Sequence, residues 1–149
     1  MKSILLKTEN DFSALVMRLT LGIVFFPHGA QKVLGWFGGH GFSGTMSLFT
    51  GKMGFPPVVA FLVIAAEFLG SLGLITGFLT RVSALGIFSV MTGALIMVHG
   101  KMGFFMNWYG MKKGEGFEYH LLALALALVL MIKGGGALSV DRALTEGRR

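Results

Sequence analysis

The chain has 149 residues, of which 54% are hydrophobic and only 13% are charged, and its mean hydropathy is +0.73. That length fits a single domain, and the charged share is about half of the roughly 25% that is typical of soluble globular proteins. A domain this small has too much surface to hide so many apolar side chains from water. The composition therefore excludes disorder and favours a membrane protein.

The net charge is +6, from thirteen Lys and Arg against seven Asp and Glu. These basic residues are scattered along the chain rather than collected in a stripe, so we predict no nucleic-acid partner. The excess suits contact with the anionic headgroups of membrane lipid. Cysteine is absent, which excludes disulfides, thiolate metal sites and a dithiol redox couple within the chain.

The first apolar segment predicts a helix over residues 12–37, with Asp11 or Ser13 as its N-cap. Residues at spacings of four, three, four and three form one stripe along this helix. Two of them are glycines, which allow another helix to approach closely, so we expect the stripe to face the bundle. Its members are Arg18, Gly22, Phe25, Gly29 and Lys32.

A glycine-rich loop over residues 38–57 follows, with a short helix predicted at Thr45–Phe49. The second segment, residues 58–79, is long enough at about 1.5 Å per residue to span roughly 33 Å of hydrocarbon. A two-residue break leads into a third span at residues 82–105, and a loop with Trp108 as an interfacial anchor comes next. The fourth span covers residues 117–133 and is followed by a charged tail, residues 137–149.

Four spans predict an all-α integral membrane four-helix bundle with both termini on the same side. The termini and the tight turn carry seven basic residues, and the two long loops carry five. Because positively charged segments stay on the cytoplasmic side, we predict that both termini are cytoplasmic.

Five ionisable side chains are predicted to share one layer in the outer half of the bilayer. At about 1.5 Å per residue they lie roughly 20 to 25 Å from the cytoplasmic helix ends, where an uncompensated charge costs about 2.5 to 3.5 kcal/mol. Arg18 lies deeper, and we predict that it forms a structural ion pair with Glu67. The members of the layer are His28, Glu67, His99, Glu118 and His120.

Imidazole and carboxylate groups in a partly dry site exchange protons near neutral pH, and such groups can hydrogen-bond a quinone at its two oxygens. We therefore predict a quinone cofactor, with Glu67 and His28 as the catalytic, proton-handling residues. The residues predicted to contact the cofactor are His99, His120, Lys32, Trp36 and Trp108.

A metal in the bundle is the second interpretation of the same residues. Di-metal bundles use Glu-x-x-His pairs on one helix, whereas Glu118 and His120 are only two residues apart. We therefore predict no metal ligands.

Taken in order, several short motifs resemble those of the DoxX family of small four-helix bacterial inner-membrane proteins. The resemblance covers residues 12–144, and it implies one DoxX-like domain over residues 1–149 in a multi-pass protein of the bacterial inner membrane. It also implies association with membrane oxidoreductases and with oxidative or thiol stress. The motifs are Arg18 with Gly22, His28-Gly29-x-x-Lys32 with Gly35, Glu67 with Gly70 and Gly77, Thr80-Arg81, Glu118-Tyr119-His120 and Ser139-x-Asp141.

The function predicted from residues and resemblance together is a quinone-linked subunit of a membrane oxidoreductase or of an oxidative or thiol-stress system. Its protein partner would be a peripheral or membrane oxidoreductase subunit, and a homo-oligomer stays open. Three alternatives also stay open: a non-catalytic scaffold for a peripheral enzyme, a metal-binding bundle, and a small proton-coupled transporter. The transporter is disfavoured because transporters usually carry paired broken helices or inverted repeats.

Overall fold

The computed structural model describes residues 2–146, and all regular secondary structure in that range is helical. This confirms the all-α membrane class. The α-helices are α1 (Lys2–Leu6), α2 (Phe12–Val33), α3 (Gly41–Ser47), α4 (Pro57–Thr76), α5 (Thr80–Met97), α6 (Glu118–Lys133) and α7 (Val140–Glu146).

Helices α2, α4, α5 and α6 form the bundle, in which α2 packs against α4 and α6, and α5 packs against the same two helices. In the described part of the chain, three of them, α2, α4 and α5, are long and apolar enough to cross a membrane. Helix α6 has 16 residues and is about 24 Å long. The four predicted spans thus correspond to α2, α4, α5 and α6, of which α6 is the shortest.

Three of the predicted helices end earlier than the sequence pattern indicated. Helix α2 ends at Val33, since Gly35 takes a left-handed backbone conformation with φ +71°. Helix α4 ends at Thr76 because Gly77, with φ +69°, closes it. Helix α5 ends at Met97 and a short 3-10 turn follows.

The loop between α2 and α4 contains more helix than expected. Helix α3 is followed directly by a π-helical turn over Leu48–Lys52, so the helix predicted at Thr45–Phe49 is shifted and interrupted. Phe49 in that turn is buried against Ala60 and Ile64. The loop consequently covers the end of α4 where that helix begins.

The predicted stripe on α2 does face the bundle, because Arg18, Gly22, Phe25 and Gly29 are all buried. A Cβ atom on Gly29 would lie 2.6 Å from Cα of Phe68 on α4. Only glycine fits that position, and it sets the close spacing of α2 and α4.

Arg18 is buried, and its guanidinium group donates hydrogen bonds to carbonyls at the end of α4 and just after α6. Because an unpaired buried charge is costly, these contacts hold the two segments against α2. The acceptors are the carbonyls of Gly135 (2.8 Å), Leu74 (3.0 Å), Ile75 (2.7 Å), Ala137 (3.2 Å) and Leu138 (2.7 Å). We call this arrangement the Arg18 junction.

The segment after α6 is not a free charged tail, as residues 137–149 were predicted to be. In its described part, the buried carboxylate of Asp141 accepts hydrogen bonds from the backbone N–H groups of Leu79 (2.7 Å) and Thr80 (2.8 Å). Asp141 thereby caps the start of α5 from a distant part of the chain. Gly77 is required beneath it, because a Cβ atom there would lie 2.5 Å from Cβ of Ser139.

Both described ends of the chain lie at the same end of the bundle, as predicted. The Thr8 hydroxyl accepts a hydrogen bond of 2.7 Å from the N–H of Gly136, and the Lys133 ammonium lies 2.5 Å from a carboxylate oxygen of Asp11. Asp11 also caps α2 by accepting from the N–H of Ser13 at 2.8 Å.

We predict that Arg18→Gln lowers the thermal midpoint in detergent far more than Arg142→Gln. Each buried carbonyl that loses its donor costs about 1–3 kcal/mol, whereas Arg142 forms a surface i,i+4 pair with Glu146 of a kind that contributes about 0.3–0.5 kcal/mol. Size-exclusion recovery after heating measures the difference. Equal midpoints for the two variants would contradict a stabilising role for the Arg18 junction.

We predict a pH-dependent contribution from Asp11. The Lys133 ammonium and the Ser13 hydroxyl hold the pKa of Asp11 well below its ordinary value, so its stabilising effect is complete above about pH 4, the pKa of an ordinary aspartate, and fades as the pH falls below it. The midpoint difference between wild type and Asp11→Asn should therefore be constant above that pH and shrink below it. Glu9→Gln, an exposed change two residues away, is the control, and a gap that grew on acidification would refute the assignment.

Candidate functional site

Glu67 lies inside the bundle on α4, and its ion-pair partner is Lys32 on α2. The Lys32 ammonium is 2.5 Å from a carboxylate oxygen of Glu67, and the two side chains are 22% and 7% exposed. The predicted Arg18–Glu67 ion pair is wrong. Arg18 and Lys32 are fourteen residues apart on α2, about 21 Å along its axis, and the donors of Arg18 are bound to backbone carbonyls at the other end.

A series of rings connects α2 with the start of α6. Phe25 lies between His28 and Tyr119, with ring centroids 6.1 and 6.5 Å away, and Tyr119 is 5.7 Å from His120. His120 contacts His99 at a centroid distance of 4.2 Å. Three of the five residues predicted to share a layer, His28, His99 and His120, therefore belong to one cluster. Glu67 lies beside it, since the Lys32 ammonium that binds Glu67 is also 3.4 Å from the carbonyl oxygen of His28.

Two buried polar atoms in this cluster have no hydrogen-bond partner among the described residues. They are the Tyr119 hydroxyl and Nδ1 of His120; Nδ1 of His99, by contrast, lies 2.9 Å from the carbonyl oxygen of Glu115. An unpaired buried polar atom is costly and is usually satisfied by water or a ligand. The sequence named Tyr119 only within a motif, since an aromatic residue in an apolar segment normally indicates core packing.

Other predicted site residues lie outside the cluster. Glu118 accepts hydrogen bonds from the N–H of Met106 at 2.8 Å and from the Trp108 indole at 3.4 Å, and so it orders the loop before α6. Trp108 is 80% exposed. Trp36 is also exposed and packs edge-on against Phe26 at 6.5 Å.

A cavity of about 670 Å³ lies between α4 and α5, next to Glu67. This volume is in the range of small-molecule sites. Of the residues predicted to act in catalysis or cofactor binding, Glu67 lines it and the three histidines do not. The rest of the wall is almost wholly apolar, and the loop after α3 contributes two rings to its end, with lining residues such as Phe49, Phe55, Leu62, Val63, Val90 and Met97.

Metal ligands do not cluster in residues 2–146: no three side chains of His, Cys, Asp or Glu come together there. The structure thus adds no observation in favour of the metal-binding alternative.

The fold and the cavity define a small polytopic α-helical membrane protein with an apolar site beside a buried ion pair. The chain belongs to the DoxX family, whose model matches residues 13–100. It is 29% identical over 139 residues to "Putative oxidoreductase CatD" of Bacillus subtilis (strain 168), covering 93% of this chain and 92% of that protein.

A second relative is "Inner membrane protein YqjF" of Escherichia coli (strain K12). It is 32% identical over 143 residues, which cover 95% of this chain and 98% of the relative. No solved structure matches the chain significantly. Both relatives align over nearly their whole length, so the likeness extends beyond the segment that the family model matches.

We predict that Lys32→Met destabilises the protein by about 3–5 kcal/mol, because it leaves the buried Glu67 carboxylate without its partner. The double variant Lys32→Met/Glu67→Leu should recover most of that loss, since it removes both charges. A double-mutant cycle of thermal midpoints in detergent measures the coupling. Additive effects of the two single changes would show that the ion pair contributes nothing.

Proposed function

We propose that this DoxX protein is a quinone-linked subunit of a membrane oxidoreductase system, with the quinone headgroup in the cavity beside Glu67. The observation that carries the proposal is the combination of an apolar cavity of about 670 Å³ with a buried carboxylate that an ammonium group holds at 2.5 Å. A quinone headgroup is flat and uncharged, and it needs hydrogen-bond or proton donors only at its two carbonyls.

Access to this cavity is from the hydrocarbon side. Residues at its edges on both helices are exposed: Leu62 is 58% and Val59 43% exposed on α4, and Met97 is 54% exposed on α5. In a bilayer those side chains face lipid. A ligand dissolved in the membrane can therefore enter between α4 and α5 without crossing water, which suits a lipid-soluble quinone.

Reduction of a quinone to a quinol consumes two electrons and two protons, and quinol oxidation releases them. We assign proton exchange with a quinone oxygen to Glu67, which lines the cavity, with Lys32 as its counter-ion. His28, one turn before Lys32 on α2, is assigned the exchange of protons with that pair. Because the chain has no cysteine, we assign the electron transfer to a redox centre on a partner protein, either a peripheral or a membrane subunit.

His120 at the start of α6 and His99 in the turn after α5 take a different role from the carbonyl contact predicted for them. Neither lines the cavity, but their rings continue from Tyr119 to that turn, in which His99 is half-buried and the next three residues are exposed. We assign them to proton exchange between the neighbourhood of Glu67 and that end of the bundle.

The names of the two relatives support a role in a membrane oxidoreductase system. One is named an oxidoreductase and the other an inner membrane protein, which agrees with an oxidoreductase-linked role in a bacterial inner membrane. By the positive-inside rule, we assign both termini to the cytoplasm. The cluster and the cavity then lie toward the outer leaflet.

We predict that wild-type protein binds the reduced, quinol form of a short-chain ubiquinone analogue in detergent and that Glu67→Gln weakens the binding about tenfold, because the ionised carboxylate accepts a hydrogen bond from a quinol hydroxyl. A hydrogen bond to a charged group contributes about 1.5–3 kcal/mol, and 1.4 kcal/mol corresponds to a factor of ten. Isothermal titration gives the affinity. The matched control is Glu146→Gln, an exposed carboxylate on α7, which should bind like wild type.

The variant Lys32→Met/Glu67→Leu guards against a loss of binding that merely reflects misfolding, because it keeps an apolar cavity without either charge. It should also bind the analogue weakly while retaining its thermal midpoint. Absence of binding by wild-type protein, together with a lipid extract free of quinone, would reject the quinone site and favour the scaffold alternative, in which the ion pair only fixes helix packing.

A further inference from the structure

A second cavity, of about 590 Å³, runs along the outside of α4 and α5 toward the end that holds the Arg18 junction. It shares Leu62, Ala66 and Gly86 with the cavity beside Glu67. The two spaces therefore adjoin along the same face of α4 and α5, and together they are called the groove. We call the part lined by Leu69, Gly70, Gly73, Phe78, Val82 and Ser83 the lower groove.

The hydroxyl groups that line the lower groove are paired within the protein, so a ligand there needs no polar group. The Thr76 hydroxyl donates to the carbonyl of Leu72 on its own helix at 2.8 Å, and the Ser83 hydroxyl donates to the carbonyl of Phe78 at 3.5 Å. Among residues 2–146, the only charged residue that lines either cavity is Glu67, at the upper one. The groove thus matches an amphiphile that is polar at one end and purely hydrocarbon beyond it.

The shape of the lower groove favours a single flexible chain. From Leu62 to Thr76 it follows fourteen residues of α4, about 21 Å at 1.5 Å per residue. Its 590 Å³ spread over that length gives a mean cross-section of about 28 Å², whereas a helix 10 Å in diameter needs about 80 Å². A space this long and narrow suits a single hydrocarbon chain.

We propose that the lower groove binds the isoprenoid tail of the quinone whose headgroup occupies the cavity beside Glu67. The inference rests on the proposed function and adds the substrate class: a long-chain lipoquinone rather than a short or water-soluble one. The shared wall of the two cavities carries it, since a headgroup beside Glu67 can extend its tail past Leu62, Ala66 and Gly86 into the lower groove.

The test compares a long-chain and a short-chain ubiquinone on four proteins in the same detergent. Wild type should bind the long-chain form at least about tenfold more tightly. Ala65→Phe fills the lower groove, because Ala65 lines that cavity alone, and it should abolish the long-chain advantage while short-chain affinity stays as in wild type. Gly93→Phe should weaken both ligands, since Gly93 lines the upper cavity and a Cβ atom there meets nothing within 4 Å.

Ala125→Phe, the same change on an exposed position of α6, is the matched control and should leave both affinities unchanged. If Ala65→Phe keeps the long-chain advantage, or if excess phospholipid abolishes that advantage in wild type, the tail site is refuted although the headgroup site stands. If wild type binds neither quinone, the proposed function fails and this inference falls with it.

Discussion

The buried guanidinium of Arg18 is the interaction on which the arrangement of the helices depends. It donates hydrogen bonds to carbonyls in the last turn of α4 and in the segment after α6. Local structure alone does not bring these two parts of the chain together. The end of a helix leaves carbonyls unpaired, and in a low-dielectric setting each needs a donor. One side chain with five N–H donors meets that need at a single point.

This use of Arg18 determines what happens at the other end of α2. The helix carries two basic residues, and because backbone carbonyls occupy Arg18, Lys32 is the cation that compensates Glu67. Gly29, between them, brings α2 against α4 closely enough for that contact. The two ends of the bundle therefore have separate roles. The Arg18 junction fixes the chain ends and the start of α5, and the Lys32–Glu67 ion pair lies at the end with the cavity.

Helical periodicity in the sequence predicts much about which residues are buried in the bundle. The sequence predicts little about which side chains bind each other. Spacings of three and four correctly placed Arg18, Gly22, Phe25 and Gly29 on one buried face, because that periodicity is a property of the helix itself. The predicted partner of Glu67 was wrong, because three of the carbonyls that accept hydrogen bonds from Arg18 lie 117 or more residues away in the sequence. The cavity is a space between helices, and no residue pattern encodes it directly.

The charges of Glu67 and Lys32 limit the kinds of ligand that the cavity can bind. An isolated carboxylate in apolar surroundings takes up a proton or attracts a cation, but Glu67 is already compensated by Lys32, so the pair is neutral as a whole. An anionic ligand would meet the carboxylate, and a cationic ligand would have to displace Lys32. An uncharged molecule avoids both costs. The neutral pair in an apolar wall thus favours an uncharged, lipid-soluble ligand over the ions that an unpaired charge would bind.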